Sequence, residues 1–242
     1  MAKVHFVLQG KGGVGKSVTA AFLAQFLGER GGESPTNIDT DPVNATFHGY
    51  KALNVKRLQI MEADEINPRS FDTLIEMIAA AKGDVIVDNG ASSFVPLSHF
   101  LISNQVPALL GEMGRELVIH TVVTGGQALL DTISGFNQLV SQFPSEALFV
   151  VWLNPFWGPI EHEGKGFEQM KAYTTNKGRV SAIIQIPSLK KETYGRDLSD
   201  MLQERLTFDQ AIAQESLTIM TRQRLKIIKG QVYGQMENAT VL

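Results

Sequence analysis

No cysteine occurs among the 242 residues, which excludes disulfides, thiolate metal sites and iron–sulfur ligation together. No apolar run is long enough to span a bilayer, and Met1-Ala2-Lys3 leads into a strand-like stretch with no leader-like apolar region. A cytoplasmic location is therefore expected. Charge of either sign is sparse: 19% of residues are charged and the formal net charge is −3. Such a chain has no whole-molecule attraction to DNA or anionic membranes, so contact with either needs a local patch. The histidines, His5, His48, His99, His120 and His162, show no metal-ligand spacing, and Glu161-His162-Glu163 reads as a surface loop. Repeats, low-complexity tracts and linkers are missing as well, so residues 1–242 read as one domain with a hydrophobic content, 43%, ample for a core.

One octet is rich where the rest is plain. Gly10 to Ser17 reads Gly-Lys-Gly-Gly-Val-Gly-Lys-Ser, which satisfies the phosphate-loop pattern G-x-x-x-x-G-K-[ST]. It follows the strand-like run Val4–Leu8 and precedes the helix-like run Val18–Leu27. Strand, glycine loop and helix form the context in which backbone N–H groups and a helix N-terminus cradle phosphate oxygens. Lys16 is placed to neutralise the β- and γ-phosphates, and the Ser17 hydroxyl to ligate Mg²⁺. Nucleotide contacts are thus expected from Gly10, Gly12, Gly13, Val14, Gly15, Lys16, Ser17 and Val18, with ATP or ADP and Mg²⁺ as cofactors.

Apolar strand-like runs alternate with helical patterns along the rest of the chain. The expected fold is α/β, a P-loop NTPase with a mostly parallel sheet flanked by helices on both faces. Strands are expected at 35–38, 84–88, 117–123, 147–153 and 180–186, and more weakly at 56–61. Helices are expected at 16–29, after Asn67-Pro68, and at 127–142, 166–174, 193–206 and 217–232. Ligands of such sheets bind at the carboxyl ends of the strands. Asp39 and Asp41 follow the second strand, one residue apart and so on one face of an extended chain. Asp88 ends the apolar run Val85–Val87, the arrangement in which a carboxylate holds Mg²⁺ through its water shell.

Lys11 is redundant for phosphates within its own loop. With it, Lys-Gly-Gly-x-Gly-Lys-Ser resembles the deviant phosphate loop of the ParA/MinD family, the signature-lysine ATPases. Asp39, Asp41, Pro42, Asn44, Ala45 and Thr46 match that family's second motif, and Val43 departs from it. The resemblance implies that Lys11 reaches the partner's nucleotide in an ATP-state homodimer, that Asp41 orients the attacking water, and that Asp39 supports the Mg²⁺ shell. It places Asn154 at the adenine edge and backbone near Pro187 beside the base, with Pro155 to Pro159 as an aromatic cover. Asn89-Gly90-Ala91-Ser92-Ser93 departs from the family's usual Asp-x-Pro-x-Gly, although Gly90 can still present its N–H to a γ-phosphate.

Within the family, the segment after Asp88 and the tail around Arg222–Lys229 look like plasmid-encoded conjugal-transfer ATPases of the TraL type. The function implied is a dimeric ATPase switch, accessory to conjugal transfer or partition, that positions a protein or nucleoprotein cargo. A membrane-associated spatial regulator like MinD and a small-molecule kinase or ligase of the same fold are the alternatives. The tail enters this choice directly. Over 217–232, Leu217, Met220, Leu225, Ile227, Ile228 and Val232 share one helical face, and Arg222, Lys226 and Lys229 another. A basic amphipathic helix of this kind docks on membranes or DNA, or packs on the sheet with its lysines solvated. Arg224 inside the apolar arc and Gly230 favour packing.

Overall fold

The computed structural model describes residues 1–242. Its centre is β1 (Ala2–Val7), flanked on one side by β6 (Val85–Asp88), β2 (Thr36–Asp39) and β3 (Lys56–Arg57), and on the other by β7 (Arg115–Thr124), β8 (Leu148–Asn154) and β11 (Val180–Gln185). All six pairings in this sheet are parallel. The chain leaves β1 to build one wing and returns beside it to build the other, so the end of β1 is where strand order reverses and ligands bind in open α/β sheets.

Alternation along each strand feeds two cores. Val4, Phe6 and Leu8, with Phe149, Val151 and Leu153, meet α2 (Ser70–Ala80), α3 (Phe94–Ser103), α4 (Val106–Glu112) and α5 (Leu129–Gln142) on one face. Val7, Val150 and Trp152 meet α1 (Lys16–Glu29), α7 (Tyr194–Gln203), α8 (Phe208–Ala213) and α9 (Ile219–Glu237) on the other. Helix α1 is apolar around most of its circumference because it is covered twice, by the sheet and by α8–α9. Phe22 stacks on Phe208 at 5.4 Å and Phe26 meets Tyr233 edge-on at 5.4 Å. Two hairpins, β4 (Met61–Glu62) with β5 (Glu65–Ile66) and β9 (Glu161–His162) with β10 (Lys165–Gly166), and the short α6 (Lys171–Asn176) lie outside the main sheet.

Several boundaries differ from the sequence expectation. The strand at 56–61 shrinks to two residues because the chain turns into the first hairpin. The helix at 166–174 gives way to the second hairpin, a 3-10 turn and α6, since Glu163 and Gly164 at positive φ turn the backbone. Helix α9 starts two residues after Leu217, where the Thr218 hydroxyl accepts from Thr221 N–H, and runs on to Glu237. Its packed face is Leu225, Ile228, Val232 and Met236, whereas Met220 and Ile227 are exposed. On its basic face Lys229 bridges Glu29 (2.8 Å) and Asp209 (2.7 Å), and Arg224, inside the expected apolar arc, pairs with Asp197. No helix is long and apolar enough to cross a membrane.

Beneath the centre of the sheet Trp152 Nε1–H donates to His120 Nδ1 (2.9 Å), and the rings of His120 and His5 join at 3.0 Å. The indole can only donate, so His120 carries its proton on Nε2 and gives it to His5 Nδ1. Both rings are neutral. Burial, and Lys3 near His5, push His5 down to about 3, and burial with His5 pushes His120 down as well. Unfolded histidines take protons near 6.5 and the folded ones do not, so stability present above that pH is lost as pH falls below it. Urea unfolding should show stability dropping by about 1.4 kcal/mol per pH unit for each histidine below pH 6. His120→Gln keeps an acceptor for the indole without titrating, and should reduce that slope by about half.

Candidate functional site

The link between β1 and α1 turns on Gly13 (φ 73°) and Gly15 (φ 104°), left-handed values that only glycine adopts without strain. A Cβ at Gly15 would also stand 2.8 Å from Asn154 Nδ2. Gly15 is the N-cap residue of α1 and has no side chain to cap it, so the first amide N–H groups of the helix remain for an anion. Lys16 folds back over the loop, donating from Nζ to the Lys11 carbonyl at 3.0 Å. Burial lowers its ammonium pKa, while Asp88 and Asp41 oppose that shift. On the outer side of the loop, Asn154 Nδ2 donates to Val14 O (2.9 Å) and Trp157 Nε1 to Gly13 O (3.2 Å). Gly10 lies under the Phe94 ring, where a Cβ would come within 3.0 Å.

Asp88 ends β6 in register with Val7 on β1 and Asp39 on β2. It is wholly buried, and neither carboxylate oxygen has a hydrogen-bond partner. Burial is the main cause that pushes its carboxyl up to about 7; the Ser17 hydroxyl and Lys16 act against the rise, and Asp39 adds to it. Ser17 stands close enough to matter electrostatically without completing a hydrogen bond to either oxygen. A buried polar group left unpartnered is costly, so these two oxygens fit a role as acceptors for a hydrated cation.

The other carboxylates are already engaged. Asp39 Oδ1 accepts from Asp41 N (2.9 Å) and Oδ2 from His48 N (2.8 Å). Burial raises its pKa and those two N–H donors oppose the rise. Asp39 thus shapes the segment that carries Asp41. Asp41 Oδ1 accepts from Val43 N and Asn44 N, both at 2.9 Å, and its side chain lies against Gly90, where a Cβ would be 2.7 Å from Asp41 Cγ. The turn bearing Gly90 is closed by Ser93 Oγ–H donating to Asn89 Oδ1 at 2.6 Å. No group of three or more His, Asp or Glu side chains converges as a self-sufficient metal site.

The structure therefore gathers Gly10 to Val18, Asp39, Asp41, Asp88 and Asn154 around the end of β1. Pro187 lies at the sheet's edge strand, where Ile186 N–H donates to Leu153 O (2.9 Å) and holds the ends of β8 and β11 together. Two neighbours escaped the sequence reading. Asp131, on the first turn of α5, holds Lys11 Nζ at 2.7 Å. Gln9, buried just before the loop, donates to Val122 O (3.0 Å) and Thr132 O (3.1 Å) and ties the loop to α5. A lone amide in an apolar strand end marked Gln9; nothing local marked Asp131. One surface hollow lies between α8 and α9, and another between α3 and α5 is lined by Phe94, whose ring covers Gly10.

Comparison with known proteins agrees with this geometry. Residues 5–192 match the CobQ/CobB/MinD/ParA nucleotide binding domain family. Two Escherichia coli proteins, each called Protein TraL, are 74% and 76% identical to the chain over 242 residues, covering all of it and all of their own length. Among solved structures, the MinC:MinD cell division protein complex of Aquifex aeolicus aligns with a TM-score of 0.55 at 15% identity, over 95% of this chain and 96% of that one. At that identity the likeness is one of fold. A phosphate loop at the reversal point of a seven-stranded parallel sheet, a matching family over most of the length and full-length relatives of high identity lead to one conclusion: the chain belongs to the CobQ/CobB/MinD/ParA nucleotide-binding family.

Proposed function

We propose that the chain is an ATP-binding, slowly hydrolysing protein that dimerises in its ATP state and switches a macromolecular cargo in plasmid conjugal transfer or partition. The buried, unpartnered Asp88 carboxylate beside Lys16 and Ser17, under an uncapped helix N-terminus, carries this reading. A Mg²⁺ arriving with the nucleotide would be held by the Ser17 hydroxyl and, through its waters, by Asp88, and would neutralise charge on the phosphate oxygens. Lys16 serves the phosphates, Asp39 supports the arrangement by orienting Asp41, and Asp41 orients the attacking water. The base lies at the ends of β8 and β11, where Asn154 and Pro187 leave the sheet. Residues 1–242 act as one domain, because α9, beyond the family match, completes the core around α1. The relatives called Protein TraL support the conjugal assignment.

Dimerisation rests on Lys11. Its partner Asp131 is exposed, as Lys11 is, with 57% and 45% of their side-chain surfaces accessible. An exposed ion pair of this kind contributes about 0–1 kcal/mol, so the lysine is released at little cost. Facing a second copy across a two-fold axis, it would offset repulsion between two bound polyphosphates. In light scattering, wild-type protein with ATP under conditions that block hydrolysis should form a dimer, and with ADP a monomer or weaker dimer. Lys11→Ala should bind nucleotide and stay monomeric. An unchanged ATP dimer in that variant would remove the trans role.

A membrane-associated spatial regulator is the second reading. Ile219 and Met220, 76% and 57% exposed, stand at the start of α9 on the helix that carries exposed Lys226. Co-sedimentation with liposomes and with DNA, each with ATP and with ADP, separates the two readings. Nucleotide-dependent pelleting with vesicles favours the second.

A further inference from the structure

Two side chains from the segment after β8 bond to carbonyls of the phosphate loop. Trp157 Nε1–H reaches the Gly13 carbonyl at 3.2 Å and Asn154 Nδ2–H the Val14 carbonyl at 2.9 Å. Every peptide bond in the chain is trans, so a carbonyl and the N–H that follows it point in opposite directions. Holding Gly13 C=O outward aims Val14 N–H to the opposite side, and holding Val14 C=O does the same for Gly15 N–H. Both peptide units border glycines at positive φ, the positions where backbone rotation is freest. Without the two donors these units lose the contacts that orient them.

The donors stand on a fixed platform. Asn154 Oδ1 accepts from Phe156 N (3.2 Å) and its backbone carbonyl from Thr124 Oγ1 (2.7 Å), so both ends of the residue are engaged. The segment behind Trp157 sits on the Gly125-Gly126 turn that ends β7. A Cβ at Gly125 would be 2.2 Å from Gly158 O, and one at Gly126 would be 2.7 Å from Trp157 O. Trp157 is 58% exposed, and its indole N–H is nonetheless spent on the loop.

We propose that Asn154 and Trp157 are positioning residues that hold the backbone N–H groups of the loop toward an anion, so that they serve the polyphosphate. This rests on the nucleotide binding proposed above. It gives the segment after β8 a task different from covering adenine, and it predicts that the two side chains affect every polyphosphate alike.

Titration calorimetry with ATP, GTP and inorganic tripolyphosphate tests it on full-length protein. Trp157→Phe keeps a ring and removes the donor at an exposed position, and Asn154→Ala removes the other donor. Each variant should weaken all three ligands by a common factor of about fivefold, and the double variant by more. Nuclear magnetic resonance of the ligand-free Trp157→Phe protein should show altered Val14 and Gly15 amide signals, with an unchanged melting temperature and the remaining amides in place. A loss confined to ATP, with tripolyphosphate binding intact, would overturn the proposal in favour of a base contact. Variants that match wild type for all three ligands would remove it alone. Wild-type protein that binds none of them would remove the nucleotide reading as well.

Discussion

Lys16→Ala should lose ATP and ADP binding by a factor of about a hundred or more, with the fold retained. The ammonium is largely buried and reaches across the loop to the Lys11 carbonyl, so its position is set before any ligand arrives. Burial weakens its hold on its proton, and the two carboxylates at Asp88 and Asp41 restore it. A polyphosphate entering the loop adds several negative charges to the same spot, and nothing else in the loop carries a compensating charge while Lys11 is held by Asp131. The fold survives because Asp88, deprived of its neighbouring cation, takes up a proton; its carboxyl is already pushed up to about 7. Fluorescence titration with a labelled ATP analogue, alongside circular dichroism, reads both halves of this prediction. Retained wild-type affinity would mean that Gly10 to Ser17 is a structural turn.

How much of this was legible in the amino-acid order varies with how local the cause is. The phosphate loop was fully visible because its chemistry is contiguous: glycines for positive φ, a lysine and a hydroxyl within eight residues. The central strands were visible because they are buried on both faces and read as largely apolar runs, interrupted by His5 in β1 and by His120 and Thr121 in β7. Helices α3 and α4 were missed, since Phe94 to Glu112 is broken by Pro96, Asn104 and Pro107 and shows no clean apolar period. The packed face of α9 was legible in its centre, where Leu225, Ile228 and Val232 are buried as expected; Met236 lies past the expected end at 232, and Met220 and Ile227 are exposed. The ion pairs of Lys229 and Arg224 depend on Glu29, Asp209 and Asp197, which are distant in sequence or on other helices, and no local pattern announces them.

The same distinction applies inside the site. Asp39, Asp41 and Asp88 were legible as strand-end carboxylates with different expected roles, but not their unequal bonding. Only in three dimensions does Asp88 appear without partners while each oxygen of Asp39 accepts a backbone N–H. The resemblance places Asn154 at the adenine edge; its bond to the Val14 carbonyl, 140 residues away in sequence, is visible only in three dimensions.

Asp41→Ala should keep ATP binding within a few-fold of wild type and lower turnover by about a hundredfold, the scale on which a positioned acid–base group contributes. The geometry separates two things this carboxylate does. Oδ1 accepts from Val43 and Asn44 N–H and so closes its own turn, while the side chain lies against Gly90 on the neighbouring segment. Removing the carboxylate abolishes both the turn closure and the charge, so one variant cannot apportion them. Asp41→Asn separates them, because the amide oxygen can still accept the two N–H groups while the charge is gone. If orientation of the attacking water needs the charge, Asp41→Asn will be nearly as slow as Asp41→Ala while Val43 and Asn44 stay ordered. If turn closure is what counts, Asp41→Asn will approach wild-type turnover. Asp41→Ala also provides the hydrolysis-blocked protein for the Lys11 experiment, in which Asp41→Ala with ATP should persist as the dimer and the Lys11→Ala, Asp41→Ala double variant as the monomer. Phosphate release by single-turnover assay decides the catalytic part, and a fully active Asp41→Ala protein would transfer the search for the water-orienting group to Asp39 and the Gly90 turn.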